Sequence, residues 1–279
     1  MSNPEVGKSV LAAGIETNYL HEGSGPPVVL LHGSGPGVTG YVNWRFILPK
    51  LAPAYACYAP DIVGFGYTAR PKGYEYKLDN WVAHVVGFLD ALGIPKAHFV
   101  GNSFGGALTL ALAARHPERV GRFVLMGSGG VEFTMTEGLE VVWGYQPTLE
   151  YMTKMMGYFA YNQKLLTPEI AESRYQASIR PGHQESYAAL FPAPRERHIK
   201  ALCTPEEKIR ALPHEVLVVH GREDRVVPLE ASLKLHQLLQ RSQLHVYGQC
   251  GHWTQVEKAD RFARLVLDFL GEEARATAG

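Results

Sequence analysis

The sequence predicts an α/β fold in which helices cover both faces of a mostly parallel sheet. Short continuous apolar runs, each followed by a turn signal, recur along the 279-residue chain, and amphipathic helical patterns separate most of them. Strands that alternate with helices pair in parallel, because each crossover returns the chain to the same edge of the sheet. The alternation stops between about residues 131 and 212, which indicates an insert.

Six apolar runs are predicted as strands of the sheet. Their apolar residues are continuous rather than alternating with polar ones, which is typical of strands buried on both faces. The runs lie in "PPVVLLHG", "YACYAPDIVGFG", "KAHFVGNS", "GRFVLMGSGG", "EVLVVHGRED" and "SQLHVYGQCGH".

Four segments between these strands have the apolar spacing of helices. They are "DNWVAHVVGFLDALG", "GALTLALAARHPERV", "LEASLKLHQLLQR" and "DRFARLVLDFLGEE". In the first of them, Asp79 and Gly93 stand where the N-terminal and C-terminal caps are expected. These helices supply the layers that cover the sheet.

The insert is predicted to be a helical cap, or lid, over residues 132–212, with the core domain formed by residues 1–131 and 213–279. It is rich in Met, Tyr, Glu, Arg and Pro, and patterns such as "TLEYMTKMMGYFAY" are helical with no clear strand. The alternative is a second helical layer without a functional role. A lid is favoured because the insert joins two strand ends, and ligands bind at the carboxyl edge of parallel sheets.

Composition and charge narrow the function classes. Apolar residues make up 46% of the chain and charged residues 19%, which is typical of a globular protein. The formal net charge is zero, so nothing favours nucleic acid or an anionic membrane as partner. Cys57, Cys203 and Cys250 show no spacing typical of disulfides or of a zinc site, and we expect neither metal nor cofactor. The N-terminus lacks the pattern of a signal peptide, so a cytoplasmic location is predicted.

A glycine-rich turn between a predicted strand and a predicted helix carries the main chemical signal. In "FVGNSFGGAL", Gly101 to Gly105 fit G-x-S-x-G, the nucleophile elbow of α/β-hydrolases. The turn is sharp enough that the neighbours of Ser103 must be small, and it lifts the serine Oγ clear of the backbone. In this strand–turn–helix context the motif predicts a nucleophile rather than a structural turn.

A serine nucleophile needs a base, and His252 is the favoured candidate. It lies in "GQCGHW", just after the last predicted strand, and in this fold the order along the chain is Ser, then acid, then His. His32 and His220 each precede a glycine at a strand end, where a backbone contact or a supporting role is favoured.

Asp224 is the favoured acid of the triad. It follows a predicted strand in "GREDRVVP" and lies between Ser103 and His252 in the chain. Its carboxylate would hold the histidine tautomer and stabilise the imidazolium. Asp61 precedes the serine and is expected to order its own loop. Glu132, at the end of another strand, remains the alternative acid.

The oxyanion hole of such an enzyme requires two backbone donors. The Phe104 N–H directly follows the nucleophile. The second donor is expected from the loop His32–Gly37 after an earlier strand, and we assign it to the Ser34 N–H. The alternative for this loop is a plain glycine-rich turn.

Together, "HGSGPG", "GNSFGG", "GREDRVVP" and "GQCGHWTQVE" resemble the meta-cleavage product hydrolases of bacterial aromatic degradation. The similarity runs nearly end to end and includes "TEGLEVVWGY" and "RYQASIRPGHQESYAALFPAPRER" in the insert. It is strongest to members that act on 2-hydroxymuconate semialdehyde. The resemblance implies hydrolysis of a C–C bond in 2-hydroxy-6-oxo-hexa-2,4-dienoates, which yields 2-hydroxypenta-2,4-dienoate and a small acid, formate or acetate. It also implies that the dienol is ketonised before Ser103 or an activated water attacks.

The resemblance further implies residues that bind the substrate. Asn43 and Asn102 match the family's asparagines, Arg174 its cap arginine, and Phe159 and Trp253 its aromatic residues. A planar, permanently charged guanidinium suits the substrate carboxylate. Two alternatives remain: Asn43 caps the following helix, and Phe159 only fills the core of the cap.

The substituent on the terminal carbonyl is expected to contact Trp143, Val226 and Val227, which would leave only a shallow recess. Arg180 is the reserve candidate for the carboxylate, and Cys250 is interpreted as a packed residue without a role. Relatives form dimers or larger assemblies, so a homo-oligomer is expected. Two other functions stay open: a carboxylesterase or lactonase of the same fold, and a non-catalytic ligand receptor built on it.

Overall fold

The computed structural model describes residues 3–277, and side chains from residue 3 to residue 272. The first two and last two residues of the predicted core domain therefore lie outside the described residues. The eight strands of the sheet are β1 (Lys8–Ala12), β2 (Ile15–Glu22), β3 (Pro27–Leu31), β4 (Ala56–Pro60), β5 (Ala97–Asn102), β6 (Val120–Met126), β7 (Val216–Gly221) and β8 (Ser242–Tyr247).

The strands form one sheet in the order β1-β2-β4-β3-β5-β6-β7-β8. β2 pairs antiparallel with β1 and β4, and all the other pairs are parallel. The predicted α/β-hydrolase fold, with a mostly parallel sheet flanked by helices, is confirmed. The carboxyl ends of β3, β5, β6 and β7 consequently meet at one edge.

Helices connect and cover these strands. They are α1 (Gly40–Trp44), α2 (Leu48–Leu51), α3 (Leu78–Ala91), α4 (Phe104–Arg115), α5 (Glu137–Trp143), α6 (Leu149–Phe159), α7 (Pro168–Ser178), α8 (His183–Leu190), α9 (Glu196–Ala201), α10 (Glu206–Arg210), α11 (Leu229–Leu238), α12 (Thr254–Glu257) and α13 (Ala259–Thr277), with 3₁₀ turns at Pro117–Arg119 and Gln163–Leu165. Within residues 3–277, no helix has the length and apolar character needed to cross a membrane.

The strands β3 to β7 are buried on both faces, which explains their continuous apolar runs. In β3, Val29 and Leu31 point to the layer of α3, α4 and α11, whereas Val28 and Leu30 point to the layer of α2 and α13. The first apolar cluster continues into the insert, where it includes Met152. All regular elements between residues 132 and 212 are helical, and the division into core and cap remains a prediction.

Two sequence-based expectations differ from the structure. β1 and β2 form an N-terminal hairpin that was not predicted, because its exposed face carries polar residues and its apolar pattern is weak. Asp79 is not the N-cap of α3: the helix begins at Leu78 after Lys77, and Asp79 lies in its first turn, where it pairs with Arg115. Gly93 follows the end of α3 with a φ of +65°.

Candidate active site

Ser103 stands on a strained turn between β5 and α4. Its φ is +54° and its ψ is −112°, a backbone conformation that residues with a side chain rarely adopt. The turn is held by a hydrogen bond from the Ser103 N–H to the Met126 carbonyl of the neighbouring strand at 2.9 Å. Such local strain concentrates at functional sites, where the surrounding structure maintains it.

The glycines around Ser103 allow a close approach of strand and helix. A Cβ on Gly101 would lie 2.5 Å from the Gly105 carbonyl oxygen, and a Cβ on Gly105 would lie 2.2 Å from the Leu31 carbonyl oxygen. Both distances are shorter than atoms tolerate. The crowding of glycines around one serine therefore has a steric cause.

His252 and Asp224 form a buried pair. His252 Nδ1 lies 2.7 Å from Asp224 Oδ2, and both side chains are almost completely buried. The other carboxylate oxygen, Oδ1, accepts the N–H groups of Val226 and Val227 at 2.8 and 3.0 Å. A carboxylate bonded in this way can only accept from His252, so Nδ1 carries the proton and Nε2 is free to act as a base.

His220 lies behind this pair and was not predicted to have a specific partner. Its Nε2 lies 3.0 Å from the Val227 carbonyl and 3.6 Å from Asp224 Oδ2, and its Nδ1 lies 2.7 Å from Ser232 Oγ. Burial lowers the pKa of His220, so the ring is neutral at pH 7. Because the Val227 carbonyl only accepts, Nε2 donates to it. Glu132, the alternative acid, is exposed at the surface.

The two expected oxyanion donors belong to different strand ends. Phe104 is the first residue of α4, so its N–H has no partner within the helix. Ser34 follows β3, and both Ser34 and Ser103 line the cavities described next. This arrangement brings the nucleophile and the loop after β3 to one edge of the sheet.

A cavity of about 190 Å³ lies between the sheet edge and the helices of the insert. Of the residues expected to bind substrate, it is lined by Asn43, Asn102, Phe159, Arg174, Val226 and Trp253. Ser103 and His252 also face it. The sequence-based expectation thus converges on one cavity for these six residues, although their roles remain predictions.

A second, smaller recess of about 20 Å³ adjoins Ser103 on its other side. Trp143 and Val227 line it, together with the apolar side chains of Leu139, Ile199 and Leu202. Val226 was expected in this recess but lines the larger cavity instead. Val226 and Val227 thus face different cavities, although the N–H groups of both donate to Asp224 Oδ1.

Arg174 projects from α7 to the wall of the larger cavity and donates to the Gly37 carbonyl at 3.1 Å. Burial and the nearby Arg180 and Arg45 lower the pKa of Arg174 to about 10, so it remains charged at pH 7. Arg180 instead forms an ion pair with Glu5 at 3.2 Å and does not line the cavity. The geometry favours Arg174 as the cation available to a bound anion.

Polar atoms in the larger cavity remain without partners. Asn43 Oδ1 accepts from the Gly33 N–H at 3.4 Å, but Asn43 Nδ2 and Gln255 Oε1 are buried and have no hydrogen-bond partner in the part of the chain that the structure describes. Asn43 lies within α1, whose N-cap is Thr39, so it is not a helix cap. Gln255 was missed by sequence reasoning, since a glutamine in a short helix gives no signal. Unpaired buried polar atoms facing a cavity indicate a polar ligand.

The aromatic residues form a stack beside the base. The ring of Phe159 lies parallel to that of Trp253 at 5.0 Å and stacks on the His252 ring at 5.7 Å. Cys250, two residues before the base, is fully buried, and burial raises the pKa of its thiol to about 12. Its thiol is therefore protonated at pH 7, and it does not line either cavity.

The sequence of this chain is similar to those of known hydrolases. Residues 26–259 match the family model described as the alpha/beta hydrolase fold. The chain is 57% identical to a 2-hydroxymuconate semialdehyde hydrolase of Pseudomonas sp. (strain CF600), over 97% of this chain and 96% of that protein. It is 56% identical to a 2-hydroxy-6-oxo-2,4-heptadienoate hydrolase of Pseudomonas putida (strain F1), over 97% and 98%.

A solved structure is similar over the same range. It is a variant of CumD, a meta-cleavage product hydrolase from Pseudomonas fluorescens IP01, complexed with acetates. The TM-score is 0.96 with 56% identity, and the match covers 97% of this chain and all of that one.

Proposed function

The chain belongs to the meta-cleavage product hydrolases of the α/β-hydrolase fold, and we propose that it hydrolyses a C–C bond in 2-hydroxy-6-oxo-hexa-2,4-dienoates during bacterial aromatic degradation. The observation that carries the proposal is the identity of 56–57% to two such hydrolases over nearly the whole chain. It selects this reaction over the carboxylesterase, lactonase and receptor alternatives.

The reaction adds one water across the bond between C5 and C6 of the substrate. A proton first moves from the C2 hydroxyl to C5, which converts the dienol into a ketone that can accept electrons. Ser103, or a water that His252 deprotonates, then adds to the C6 carbonyl and gives a tetrahedral oxyanion. When this intermediate collapses, the C5–C6 bond breaks, and its electron pair moves into the conjugated ketone to form 2-hydroxypenta-2,4-dienoate. If water attacked, C6 leaves directly as a carboxylic acid. If Ser103 attacked, C6 stays on its Oγ as an ester, which a water deprotonated by His252 then hydrolyses to release the acid and restore the Ser103 hydroxyl.

The side chains around the larger cavity suit the first part of this reaction. We assign the substrate carboxylate to Arg174, because a partly buried guanidinium can bind a carboxylate through two hydrogen bonds. Of the unpaired atoms, Asn43 Nδ2 can donate to the C2 oxygen, and Gln255 Oε1 can accept the proton of the C2 hydroxyl. The ordered pair of His252 and Asp224 supplies a base, and the N–H groups of Ser34 and Phe104 are assigned to the oxyanion.

The recess on the other side of Ser103 supports a small group on the terminal carbonyl. A cavity of about 10–15 Å³ holds one water molecule, so a recess of about 20 Å³ accepts hydrogen or methyl. Trp143 and Val227 restrict it, and Trp143 is fixed by stacking on Phe191 at 4.3 Å. A phenyl group would require these side chains to move.

We therefore expect 2-hydroxymuconate semialdehyde and its methyl ketone analogue to be hydrolysed well, and the phenyl ketone poorly. Forcing a larger group into a packed recess costs about 1–3 kcal/mol, so kcat/KM for the phenyl ketone should be lower by roughly 10- to 200-fold. The loss of yellow absorbance measures all three. Absence of turnover on all three substrates would reject the proposed function, whereas an equal rate on the phenyl ketone would reject only the small recess.

Replacement of Arg174 by glutamine should lower kcat/KM by about 10- to 100-fold, because the carboxylate loses a charge-assisted contact. Arg180→Gln is the matched control, since it removes a neighbouring arginine that pairs with Glu5 outside the cavity. We expect it to change kcat/KM less than threefold, roughly the range of surface substitutions. Steady-state kinetics on the semialdehyde decide the assignment, and the reverse pattern would transfer the role to Arg180.

We also propose a cytoplasmic location and a homodimer or larger assembly. Both proposals rest on the resemblance to enzymes of bacterial aromatic degradation, for which a cytoplasmic location and a homo-oligomer are expected. Sedimentation of the purified protein tests the assembly.

A further inference from the structure

The backbone at Ser34 is fixed from the core side by His32. His32 Nδ1 lies 2.7 Å from the Gly33 carbonyl, and the Ile62 N–H donates to His32 Nε2 at 2.9 Å. Burial lowers the pKa of His32 to about 4, so the ring is neutral and Nδ1 carries its proton. In a planar trans peptide the Gly33 carbonyl and the Ser34 N–H point in opposite directions. By holding the Gly33 carbonyl, His32 therefore fixes the direction in which the Ser34 N–H points.

Two residues of the insert hold Ser34 from the other side. Trp143 Nε1 donates to Ser34 Oγ at 3.0 Å. The Tyr187 hydroxyl has one proton, and two carbonyls accept it: that of Ser34 at 3.0 Å and that of Val142 at 2.7 Å. The hydroxyl thereby bridges α5 and the loop after β3. Trp143 belongs to α5 and Tyr187 to α8, and both are more than nine-tenths buried.

Phe104, the residue of the second expected oxyanion donor, is connected to Trp143 through the ring of Phe191. Trp143 stacks on Phe191 with an interplanar angle of 12°, and the Phe191 ring meets the Phe104 ring edge-on at 6.1 Å. One aromatic cluster of the insert thus reaches the residues of both expected donors. Donors in an oxyanion hole accelerate a reaction only when they are aimed before charge develops.

We propose that Tyr187 and Trp143 are positioning residues, through which the insert aims the Ser34 N–H at the oxyanion. The hole is then complete only when the helices of the insert are seated on the sheet edge. This inference rests on the proposed function, because it assigns part of the insert to the cleavage step. Neither side chain needs to touch the oxyanion, since each acts through Ser34.

The test is Tyr187→Phe, which removes one hydroxyl and leaves the ring. Tyr187 lines neither the larger cavity nor the recess, so substrate contacts are unchanged. Complete removal of an oxyanion donor costs about 10²–10³ in kcat, and we expect a misaimed donor to cost about tenfold, with KM within twofold. In single-turnover absorbance traces, the ketonisation phase should keep its rate and the cleavage phase should slow.

Tyr145→Phe is the matched control. The Tyr145 hydroxyl pairs with Ser178 Oγ at 2.7 Å, its ring lies 6.2 Å from that of Tyr187, and it is equally buried. It loses a comparable hydrogen bond without reaching Ser34, so the cleavage rate should stay within twofold of wild type. Equal losses in both variants, or an unchanged cleavage phase in Tyr187→Phe, would overturn the inference.

A second variant covers a failure of Tyr187→Phe to fold. Trp143→Phe removes the Nε1–H and keeps an aromatic ring against Phe191, and it should show the same selective loss in the cleavage phase. The semialdehyde is the substrate of choice, because it places only hydrogen in the recess that Trp143 lines. Unchanged cleavage in this variant would also reject the inference, whereas inactivity of the wild type would instead reject the proposed function.

Discussion

Replacement of Ser103 by alanine should lower kcat for cleavage by about 10⁶-fold. A knockout of a serine nucleophile can cost this much, because the base and the acid of the triad act through the oxygen that is removed. The substitution should not unfold the turn, because the strained backbone is held by the hydrogen bond from the residue 103 N–H to the Met126 carbonyl, which alanine also forms. Stopped-flow absorbance under single-turnover conditions measures the loss. Ketonisation should persist slowly, because His252 and the polar side chains around the cavity remain.

Ser128→Ala is the matched control for this substitution. Ser128 is likewise a buried serine and lies two residues after β6. Its Oγ donates to the Gly129 carbonyl, and within the described residues it lines neither cavity. Its removal should leave kcat within about threefold. If Ser103→Ala retained cleavage within about a hundredfold of wild type, attack by a water that His252 activates would replace the covalent route.

The core of the fold could be predicted because two independent signals agree: the apolar runs identify the buried strands, and their alternation with helices identifies the parallel sheet. Strands buried on both faces need continuous apolar runs, and β3 to β7 have them, whereas most residues of β8 are partly or fully exposed. Even β8, at the edge, is preceded by a helix and followed by the turn that carries His252. The hairpin β1–β2 could not be read in this way, because a sheet edge with one exposed face tolerates mixed residues.

Some residues of the cavity could be predicted from a short stretch of sequence, and others could not. Ser103 and its glycines are specified by a single sharp turn, so five consecutive residues suffice to identify them. The place of Gln255 in the cavity and the contacts of His220 beside Asp224 and His252 depend on how separate segments pack together. The turn at Asp224 is local, since its carboxylate accepts the N–H groups two and three residues later, but which cavity each valine faces depends on the packing of the insert. The resemblance to a family supplied Arg174, and the Arg180 ion pair with Glu5 then distinguished the two arginines.

Replacement of Asp224 by asparagine should lower kcat by about 10⁴-fold, and the reason lies in the backbone. Oδ1 of Asp224 accepts the N–H groups of Val226 and Val227. An asparagine must place its carbonyl oxygen there, since its NH₂ group would face two donors. The NH₂ group then faces His252 Nδ1 and donates to it. The proton of the imidazole then moves to Nε2, and the ring can no longer accept the proton of Ser103.

Glu132→Gln is the control for this prediction, because Glu132 lies in the loop between β6 and α5 and is exposed. We expect it to change kcat by less than threefold, as surface substitutions do. The loss in Asp224→Asn should belong to the catalytic step, with KM nearly unchanged, because Asp224 is buried behind His252 and does not line either cavity. Near-full activity of Asp224→Asn together with an inactive Glu132→Gln would show that the acid comes from the end of β6. A ten-thousandfold loss in Asp224→Asn alone would mean that the two backbone donors fix the tautomer of the base, since the substitution changes one atom and leaves the volume of the side chain the same.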